Sequence, residues 1–591
     1  MKKLIFILST FLLSSQINAG LVAPPQLLYV GQGGGVCTYA TIQDAIDNAS
    51  SNSEIRVSNE IAYFENLQID KGLTINGGYT NCEQAALGNR LDDSRTTIDA
   101  NSITNVVVLT SEISINFNMS GFNLINGSTS YGGAVNAQTN NSIITFEQMN
   151  ITDNISIVGG GIYLGGTDNE LVLSNTKINN NTANLGGGVY CDNGSINLND
   201  NSGIYQNNAV DMKTVGNGGG IFGANCSIYL RSGEGGMADS HTVGISNNQA
   251  TGSGGGIYLE EGSIGAPLSG VANIDHNIAN SDMDDTGGDG GGVYMTNGAY
   301  IDFSRLFFNG NTAFNGNGGA VFMDDSYYRD ISNIPGYYNL CILLGFAECA
   351  LFINNQALGD GLNLGGAIYM QNNSTGHVLS SSLRARFINN RADGGAAIAV
   401  YSGSTLDVQN SYFIGNGNNG DDATNDFNVI RVNGAGSEID VSFSTFANNL
   451  NSYVFALFND GQARLNKSIV FEEDPLTHLV TSPIDSAAFA HDCTLFHEGV
   501  TIGPLPGLST SLVTTNPDFV NPATNNYQLM PSSAAIDRCN NTGLNPDVTI
   551  GVDYDGDERP IDIANTDNLV GAFDAGADEY DNDLIFINGF E

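Results

Sequence analysis

Two short motifs alternate along most of this chain and constrain its fold more than any other feature. The first is a glycine pair or triplet followed by small, apolar or aromatic residues, and it occurs nine times, at 131–135, 159–163, 186–190, 218–222, 254–258, 290–294, 318–322, 365–369 and 394–398. The second is an apolar residue three positions before an asparagine, and it occurs ten times, at 151–154, 178–181, 204–207, 245–248, 274–277, 308–311, 352–355, 387–390, 413–416 and 446–449. Successive glycine motifs lie at least 27 residues apart, so a unit of this length repeats and longer spacings indicate loop insertions.

These units predict an all-β fold, a right-handed parallel β-helix solenoid. The stretches between motifs are short and rich in Val, Ile, Tyr and Phe, which favours strands over helices. Glycine and asparagine readily adopt the left-handed conformation that sharp corners require. Equivalent residues lie above one another in such a coil, so we expect asparagine ladders and an apolar core inside. The right hand follows from the preference of parallel crossovers, and roughly fifteen coils rising about 4.8 Å each would give a rod of about 70 Å.

The segment before the repeats predicts a helix that caps the open end of the coils. Ile42, Ala45, Ile46 and Ala49 share one helical face. Thr41 stands where an N-cap residue is expected.

Two resemblances follow from these patterns. A helix followed by the two short coils predicted for 54–79 resembles the entry to pectin-lyase-like β-helix proteins. The alternating motifs over about 130–450 resemble the repeats of the polymorphic outer membrane proteins. The second resemblance implies display at a bacterial surface and adhesion.

A different pattern begins near residue 515. It resembles the choice-of-anchor Q segment that closes many exported bacterial β-helix proteins, on the residues Ser532 to Asp537, Asp553, Gly556, Arg559, Pro560, Asp574, Gly576, Ala577 and Glu579. That resemblance implies a cap beside surface-anchoring signals, not a catalytic unit. The tail after it is interpreted either as a last strand or as a short secretion tag. The predicted organisation is a signal peptide at 1–19, an N-terminal segment with the capping helix at 20–53, coils at 54–514, a C-terminal cap at 515–580 and a short tail at 581–591.

Charge and targeting place the chain outside the cell. Residues 1–19 have the basic head, apolar segment and small final residue of an export signal. No later stretch is long and apolar enough to predict a transmembrane helix in the mature chain. The formal net charge is -43, which repels nucleic acid and anionic lipid headgroups. We therefore expect a secreted or cell-surface protein of a Gram-negative-type bacterium.

The eight cysteines predict disulfides, because their number is even and the chain is expected to be exported. Neighbours along the chain are neighbours in a solenoid, which favours sequential pairing. The predicted pairs are Cys37 with Cys82, Cys191 with Cys226, Cys341 with Cys349, and Cys493 with Cys539.

Three sets of residues are candidates for ligand contacts. Two acidic clusters in loops have the oxygen ligands that calcium prefers, or else are simply solvated: Asp553, Asp555 and Asp557, and Asp282, Asp284, Asp285 and Asp289. We expect no cofactor other than calcium. The longest insertion, roughly 324–350, holds four tyrosines that either grip a sugar or protein ligand or cover the apolar stretch 341–346: Tyr327, Tyr328, Tyr337 and Tyr338.

Binding or adhesion without catalysis is the predicted function, with a surface glycan or protein as the partner. The alternative is a carbohydrate-active enzyme, a polysaccharide lyase or glycoside hydrolase, on the same scaffold. Few arginines are expected on the coils, namely Arg384, Arg386, Arg391 and Arg431. His377 is expected in a solvated turn. A groove with Arg or Lys near two or more carboxylates would favour the enzyme, and a smooth face with acidic edges would favour binding.

Overall fold

A computed structural model describes residues 23–32, 35–199, 201–210, 216–231, 243–265, 272–283, 287–303, 306–331, 350–379, 385–417, 428–449, 453–472, 477–480, 489–502, 511–514, 516–540, 553, 558–563 and 571–581. The predicted signal peptide and the Cys341 and Cys349 pair lie outside these ranges.

The predicted parallel β-helix is confirmed. In the described part of the chain the strands form three long parallel sheets, A, B and C, with 28, 15 and 8 strands. A typical coil gives two strands to sheet A, one to sheet B and one to sheet C before a glycine corner starts the next coil. The expected number of about fifteen coils agrees with the strand count of sheet B.

Sheet A consists of two rows of strands that run side by side. The first row follows the glycine corners and comprises Leu67–Ile69, Val107–Thr110, Val135–Asn140, Ile162–Thr167, Val189–Asp192, Ile221–Leu230, Ile257–Gly265, Val293–Thr296, Val321–Asp324, Ile368–Gln371, Ile398–Tyr401, Asn428–Asn433, Tyr453–Phe458 and His478–Val480. The second row comprises Leu27–Val30, Ser53–Ser58, Leu73–Tyr79, Asn116–Ser120, Ile143–Glu147, Asn169–Ser174, Gly194–Leu198, Tyr300–Phe303, Tyr327–Ile331, Thr375–Leu379, Thr405–Gln409, Glu438–Ser442, Gln462–Asn466 and Phe489–Asp492. Two long strands of the first list, those starting at Ile221 and Ile257, extend through both rows.

Sheets B and C close each coil. Sheet B comprises Thr96–Asp99, Phe122–Ile125, Asn150–Thr152, Lys177–Asn179, Gly203–Tyr205, Val243–Ser246, Ala272–Asp275, Leu306–Asn309, Ala350–Ile353, Ala385–Ile388, Ser411–Ile414, Thr445–Ala447, Ile469–Phe471, Leu495–His497 and Leu512–Thr514. Sheet C comprises Ser128–Tyr131, Ile155–Val158, Thr182–Ala183, Asn208–Ala209, Gln249–Ala250, Ile278–Ala279, Thr312–Phe314 and Gln356–Leu358.

The glycine motif forms the corner from sheet C to sheet A. Gly186 has a φ of 65°, in the left-handed region, and the glycine at the equivalent position of every other coil with this motif does the same. A Cβ on the next residue, Gly187, would collide with the backbone carbonyl of Gly219 on the following coil. The motif therefore combines a turn conformation with close approach of successive backbones.

The asparagine motif forms a ladder inside the corner from sheet B to sheet C. Each asparagine donates its backbone N–H and its side-chain N–H to the Oδ1 of the asparagine one coil on, at 2.9–3.1 Å. All members are buried: Asn154, Asn181, Asn207, Asn248, Asn277, Asn311, Asn355, Asn390, Asn416 and Asn449. The last one donates instead to both carboxyl oxygens of Glu472. The predicted ladder is thus confirmed, and it ends on an acid.

The apolar core runs continuously through the inside of the coils. The residue three positions before each ladder asparagine points inward, and from Phe308 to Phe446 these residues form a phenylalanine stack with ring centroids 4.5–5.1 Å apart. Cys191 and Cys226 form a fully buried disulfide between neighbouring coils, as predicted.

Two helices cover the N-terminal end of the core. The predicted helix α1 spans Ile42–Asn48, and the Thr41 side chain accepts from the backbone N–H of Asp44. A second helix, α2 at Cys82–Leu87, was not indicated by the sequence pattern, and the predicted Cys37–Cys82 disulfide holds its start. The strand Leu27–Val30 joins sheet A ahead of α1, inside the predicted N-terminal segment.

The described part of the predicted C-terminal cap lies along the flank of the rod, on the outer face of sheet B. It contains the antiparallel pair Phe519–Asn521 and Asn526–Leu529, joined by a 3-10 turn at Pro522–Thr524. Its buried apolar residues pack on the outward side chains of the last coils. The predicted Cys493–Cys539 disulfide ties it to the coils, and the Tyr527 hydroxyl accepts from Asn448.

Candidate binding face

The outer face of sheet A carries two continuous rows of side chains, because alternate residues of each strand point away from the core. Along the first row of strands, eight aromatic residues form the aromatic row: Tyr163, Tyr190, Phe222, Tyr258, Tyr294, Phe322, Tyr369 and Tyr401. Each ring comes from the residue that follows the first apolar position of a glycine motif, except Tyr401, which lies two positions further on.

The rings of the aromatic row stack on one another. From Tyr163 to Tyr369 the centroids are 4.7–5.5 Å apart and the planes lie within 14° of parallel. The ring faces therefore contact one another, and only ring edges and hydroxyls face outward. Leu364 packs against Phe322 and Tyr369, so the accessible part of the row lies before Phe322.

Three carboxylates flank the aromatic row at regular intervals. Asp192, Glu260 and Asp324 each lie two residues after a ring of the row, on the same outer face. The register places Ala224 between the first two and Thr296 between the last two, so each carboxylate is two coils from the next. We call these three residues the acidic positions.

Carboxylates make the electrostatic environment of Tyr190, Tyr258 and Tyr294 negative. Burial raises the pKa of Tyr190 to about 12, and Asp192 adds to the shift. Burial also raises the pKa of Tyr258 and Tyr294, with Glu260 and Asp324 contributing. These hydroxyls therefore remain protonated donors at neutral pH. Tyr163, Tyr190, Tyr258 and Tyr294 make no hydrogen bond from their hydroxyls to any residue that the structure describes.

A charged row runs along the second row of strands in the later coils. Its members are aligned by the strand register: Asp302, Arg329, His377, Asp407, Asp440 and Arg464. Arg329 Nη2 lies 2.6 Å from Asp302 Oδ2, and His377 Nδ1 lies 3.1 Å from Asp407 Oδ2. The edge of the Tyr327 ring packs on His377 with centroids 5.9 Å apart.

Arg464 lies at the end of the charged row and pairs with two carboxylates. Its Nη1 lies 2.9 Å from Asp440 Oδ2, and its Nη2 pairs with Glu438. Burial raises the pKa of Asp440, Arg464 opposes that shift, and Glu438 and Asp407 reinforce it. An arginine within reach of two carboxylates is thus present on this face, although the arginine side chain is 46% exposed.

The structure separates the predicted tyrosine flap into two environments. Tyr327 and Tyr328 belong to the strand Tyr327–Ile331 of sheet A, so the insertion starts later than predicted. Tyr327 faces outward beside the charged row. Tyr328 points into the core beside Phe352, because neighbouring residues of a strand face opposite sides, and the prediction of a surface contact for it is wrong. Tyr337 and Tyr338 lie outside the described residues.

The calcium candidates are described only in part. Asp282 is exposed in a turn. Asp289 is partly buried in a corner, accepts from the backbone and side-chain N–H groups of Asn317, and has its pKa raised by burial to about 6. Asp553 is buried and accepts from the backbone N–H of Glu579. The others, Asp284, Asp285, Asp555 and Asp557, lie outside the described residues, and within the described ones no group of three or more His, Cys, Asp or Glu side chains is placed to hold a metal.

The residues of the C-terminal motif form a buried polar network. Arg559 pairs with Glu579 at 3.3 Å, both side chains being fully buried, and also donates to the carbonyls of Gly576 and Ala577. Asp574 accepts from the backbone N–H groups of Asp537 and Tyr580. Burial and the nearby Glu579 raise the pKa of Asp574 well above its ordinary value. This motif therefore folds the segment onto sheet B.

Sequence reasoning missed the cations of the charged row. Arg329 and Arg464 were not among the expected coil arginines, and His377 lies in the strand Thr375–Leu379, so its assignment to a solvated turn is wrong. The expected coil arginines serve packing instead: Arg386 lies over Tyr412, and Arg431 donates to the Tyr401 hydroxyl at 2.7 Å. Burial lowers the pKa of Arg391, and Arg384 lies outside the described residues.

Comparison with known protein families and with curated proteins finds no match for this chain. Among the residues that the structure describes, none of the helices has the length and apolar character needed to cross a membrane.

Proposed function

We propose that this chain is an exported binding or adhesion protein that engages its ligand through the outer face of sheet A. The aromatic row with its acidic positions is the observation that carries the proposal. It presents the hydroxyls of Tyr163, Tyr190, Tyr258 and Tyr294 and the three carboxylates along a line of successive coils, which suits recognition of an extended ligand. Export and retention at a bacterial surface remain the expectation from the signal peptide and the repeat resemblance.

Charge decides which ligands this face can accept. Between Ile162 and Asp324 the described strands of sheet A contain no lysine or arginine. The whole chain has a net charge of -43. A polyanion such as a uronate polymer would be repelled at this face, whereas a neutral or cationic ligand would not.

Paired substitutions on the face test the binding proposal. Ala224→Lys with Thr296→Lys places two long cations between the acidic positions, where the native side chains are small and partly exposed. The matched control, Gln249→Lys with Asn273→Lys, adds the same charge to sheets C and B. Ligands found on glycan and peptide arrays should bind the face variant at least about tenfold more weakly, a loss of about 1.4 kcal/mol, and bind the control normally. Equal binding by both variants contradicts the proposal.

A carbohydrate-active enzyme is the second candidate, and the charged row favours it. Asp407 and Asp440 are direct neighbours in register, and they lie in different environments, one beside His377 and the other beside Arg464. Two carboxylates in different environments can divide the roles of acid and base, and burial raises the pKa of Asp440. Each cation of this row is paired, which is why we rank binding first.

The enzyme candidate is tested by polymer cleavage. Purified chain is incubated with uronate polymers and neutral polysaccharides, with and without calcium, beside Asp407→Asn and Asp440→Asn variants. We expect no cleavage by any of them. Cleavage by the native chain that either variant abolishes would replace binding with catalysis as the function of sheet A.

A further inference from the structure

We propose that the ligand of the aromatic row is an extended basic peptide in the polyproline II conformation, with a lysine or arginine at every third residue. This inference rests on the proposed binding function and specifies the partner. It is carried by the spacing of the acidic positions, the hydroxyl donors beside them and the lack of lysine and arginine in the described strands of sheet A between Ile162 and Asp324.

The spacing of the acidic positions matches the polyproline II helix. Asp192, Glu260 and Asp324 succeed one another at two coils, which is about 9.6 Å for strands about 4.8 Å apart. A polyproline II helix rises about 3.1 Å per residue with three residues per turn, so every third side chain returns to the same side after about 9.3 Å. A fully extended strand does not match, since its same-side residues recur at about 6.7 Å.

The side chains between the acidic positions leave room for the peptide. Ala224 and Thr296 occupy the intervening coils and are smaller than their neighbours on the row. They provide shallow places for the two residues that separate successive cations. The acidic positions stay partly exposed, and each is steadied by an asparagine of its own or the next coil: Asn193, Asn297 and Asn372 donate to Asp192, Glu260 and Asp324.

The tyrosine hydroxyls can donate hydrogen bonds to the carbonyls of such a peptide. A polyproline II peptide makes no internal hydrogen bonds, so its carbonyls need outside donors. Tyr190 and Tyr258 stand two residues before Asp192 and Glu260 on the same strands. Their raised pKa keeps these hydroxyls protonated. Each therefore offers one donor beside one carboxylate, the pair of groups that a carbonyl and a neighbouring lysine require.

Synthetic peptides with different lysine spacing test this inference. One fluorescent peptide repeats Lys-Pro-Pro, and the other repeats Lys-Pro-Pro-Pro with the same number of lysines. Binding to the full chain is followed by fluorescence anisotropy at physiological salt. The first peptide should bind at least about fivefold more tightly, because only its lysines recur at the spacing of the acidic positions.

Two triple variants separate position from net charge. Asp192→Asn, Glu260→Gln and Asp324→Asn together remove the acidic positions. Asp168→Asn, Glu261→Gln and Asp325→Asn remove three exposed carboxylates, two in bends and one within the strand Ile257–Gly265, and change the net charge equally. The first triple variant should bind the Lys-Pro-Pro peptide at least about tenfold more weakly, and the second within about twofold of the native chain. Melting curves of both variants confirm that they are folded.

Three results would overturn the inference. One is equal binding of the two peptides, and another is equal loss in the two triple variants. The third is that the Lys-Pro-Pro peptide does not bind, while another ligand does bind to the same face. Binding to this face is recognised because the variant with Ala224→Lys and Thr296→Lys loses that ligand. This third result would contradict the peptide as the ligand and would leave the proposed binding function intact. If no ligand depends on that face, the proposed function falls as well.

Discussion

Glu472 occupies the end of a line of ten asparagines, and its side chain does what the next asparagine would do. It accepts the backbone and side-chain N–H groups of Asn449 at 2.8 and 2.6 Å. The carboxyl group is fully buried, and burial raises its pKa to about 8 from an ordinary value of 4.5. The folded chain therefore holds a proton here that the unfolded chain has lost at neutral pH.

We expect Glu472 to make the free energy of unfolding fall as the pH rises. Because its pKa is higher in the folded state, its contribution is fully present below about pH 4.5 and is lost as the pH rises to about 8. Glu472→Gln keeps an acceptor for Asn449 and removes the proton. Denaturant unfolding should show the variant more stable than the native chain at pH 8 by a few kcal/mol, on the order of one per unit of pKa shift. Glu498→Gln changes an exposed neighbour and serves as control. If the free energy of unfolding of Glu472→Gln depends on pH as steeply as that of the native chain, Glu472 is not the group responsible.

Removing one asparagine tests the ladder itself. Asn277→Ala leaves the backbone and side-chain N–H groups of Asn248 without their acceptor in a buried corner. Two lost partners should lower the free energy of unfolding by about 2–4 kcal/mol. Asn273→Ala changes a partly exposed asparagine in the same coil and should cost under about 0.5 kcal/mol. Similar losses from both substitutions, measured in urea, would show that the ladder adds little.

The elements of this fold differ in how well the sequence predicts them. The coils, the glycine corners, the asparagine ladder and α1 follow from local pattern, since a corner or an inward residue depends only on its own coil. The charged row does not, because its alignment depends on loop lengths. Asp302 and Arg329 are 27 residues apart, whereas Arg329 and His377, equally close in register, are 48 apart.

The position of the C-terminal segment had a signal that sequence reasoning did not use. Earlier strands of sheet B alternate apolar and polar residues, as in Ala272–Asp275, whose outer residues are partly exposed. Late strands such as Ile469–Phe471 are apolar on both sides. A strand that is apolar on both sides predicts cover on both sides, and the segment after residue 515 supplies it.

Loss of the Cys493–Cys539 disulfide should release the C-terminal segment before the coils unfold. The bond closes a separation of 46 residues, so its removal by Cys493→Ser and Cys539→Ser should cost about 2–4 kcal/mol. Limited proteolysis should then cut near the segment while the coils stay intact. Removal of Cys191 and Cys226 by alanine should weaken the coils without freeing the segment. Equal resistance of the serine variant and the native chain would show that packing alone holds the segment.

The whole molecule carries far more negative charge than its coils can neutralise. It has 62 acidic and 19 basic side chains, and the described strands of sheet A between Ile162 and Asp324 contain no lysine or arginine. Mutual repulsion of these carboxylates opposes a compact rod and is screened by salt over about 10 Å at 0.1 M.

Sodium chloride should therefore stabilise the chain. Raising it from about 0.01 to 0.5 M is expected to increase the melting temperature by several degrees at pH 8, because screening reduces the repulsion. The same comparison close to the isoelectric pH should show little change. A salt effect of equal size at both pH values would trace the stabilisation to something other than charge repulsion.

The asparagine ladder also gives the rod an electrical direction. Each side-chain carbonyl in it points toward the preceding coil, and each N–H that it pairs with points toward the following one. Amide dipoles arranged in this way add up, as they do along an α-helix, with the positive end toward the C terminus. Glu472 stands at that positive end and supplies the acceptor oxygens that the last N–H groups of the ladder need. A lysine in its place would offer only donors and would meet a field of the wrong sign, so the ten amides before it require an acceptor there.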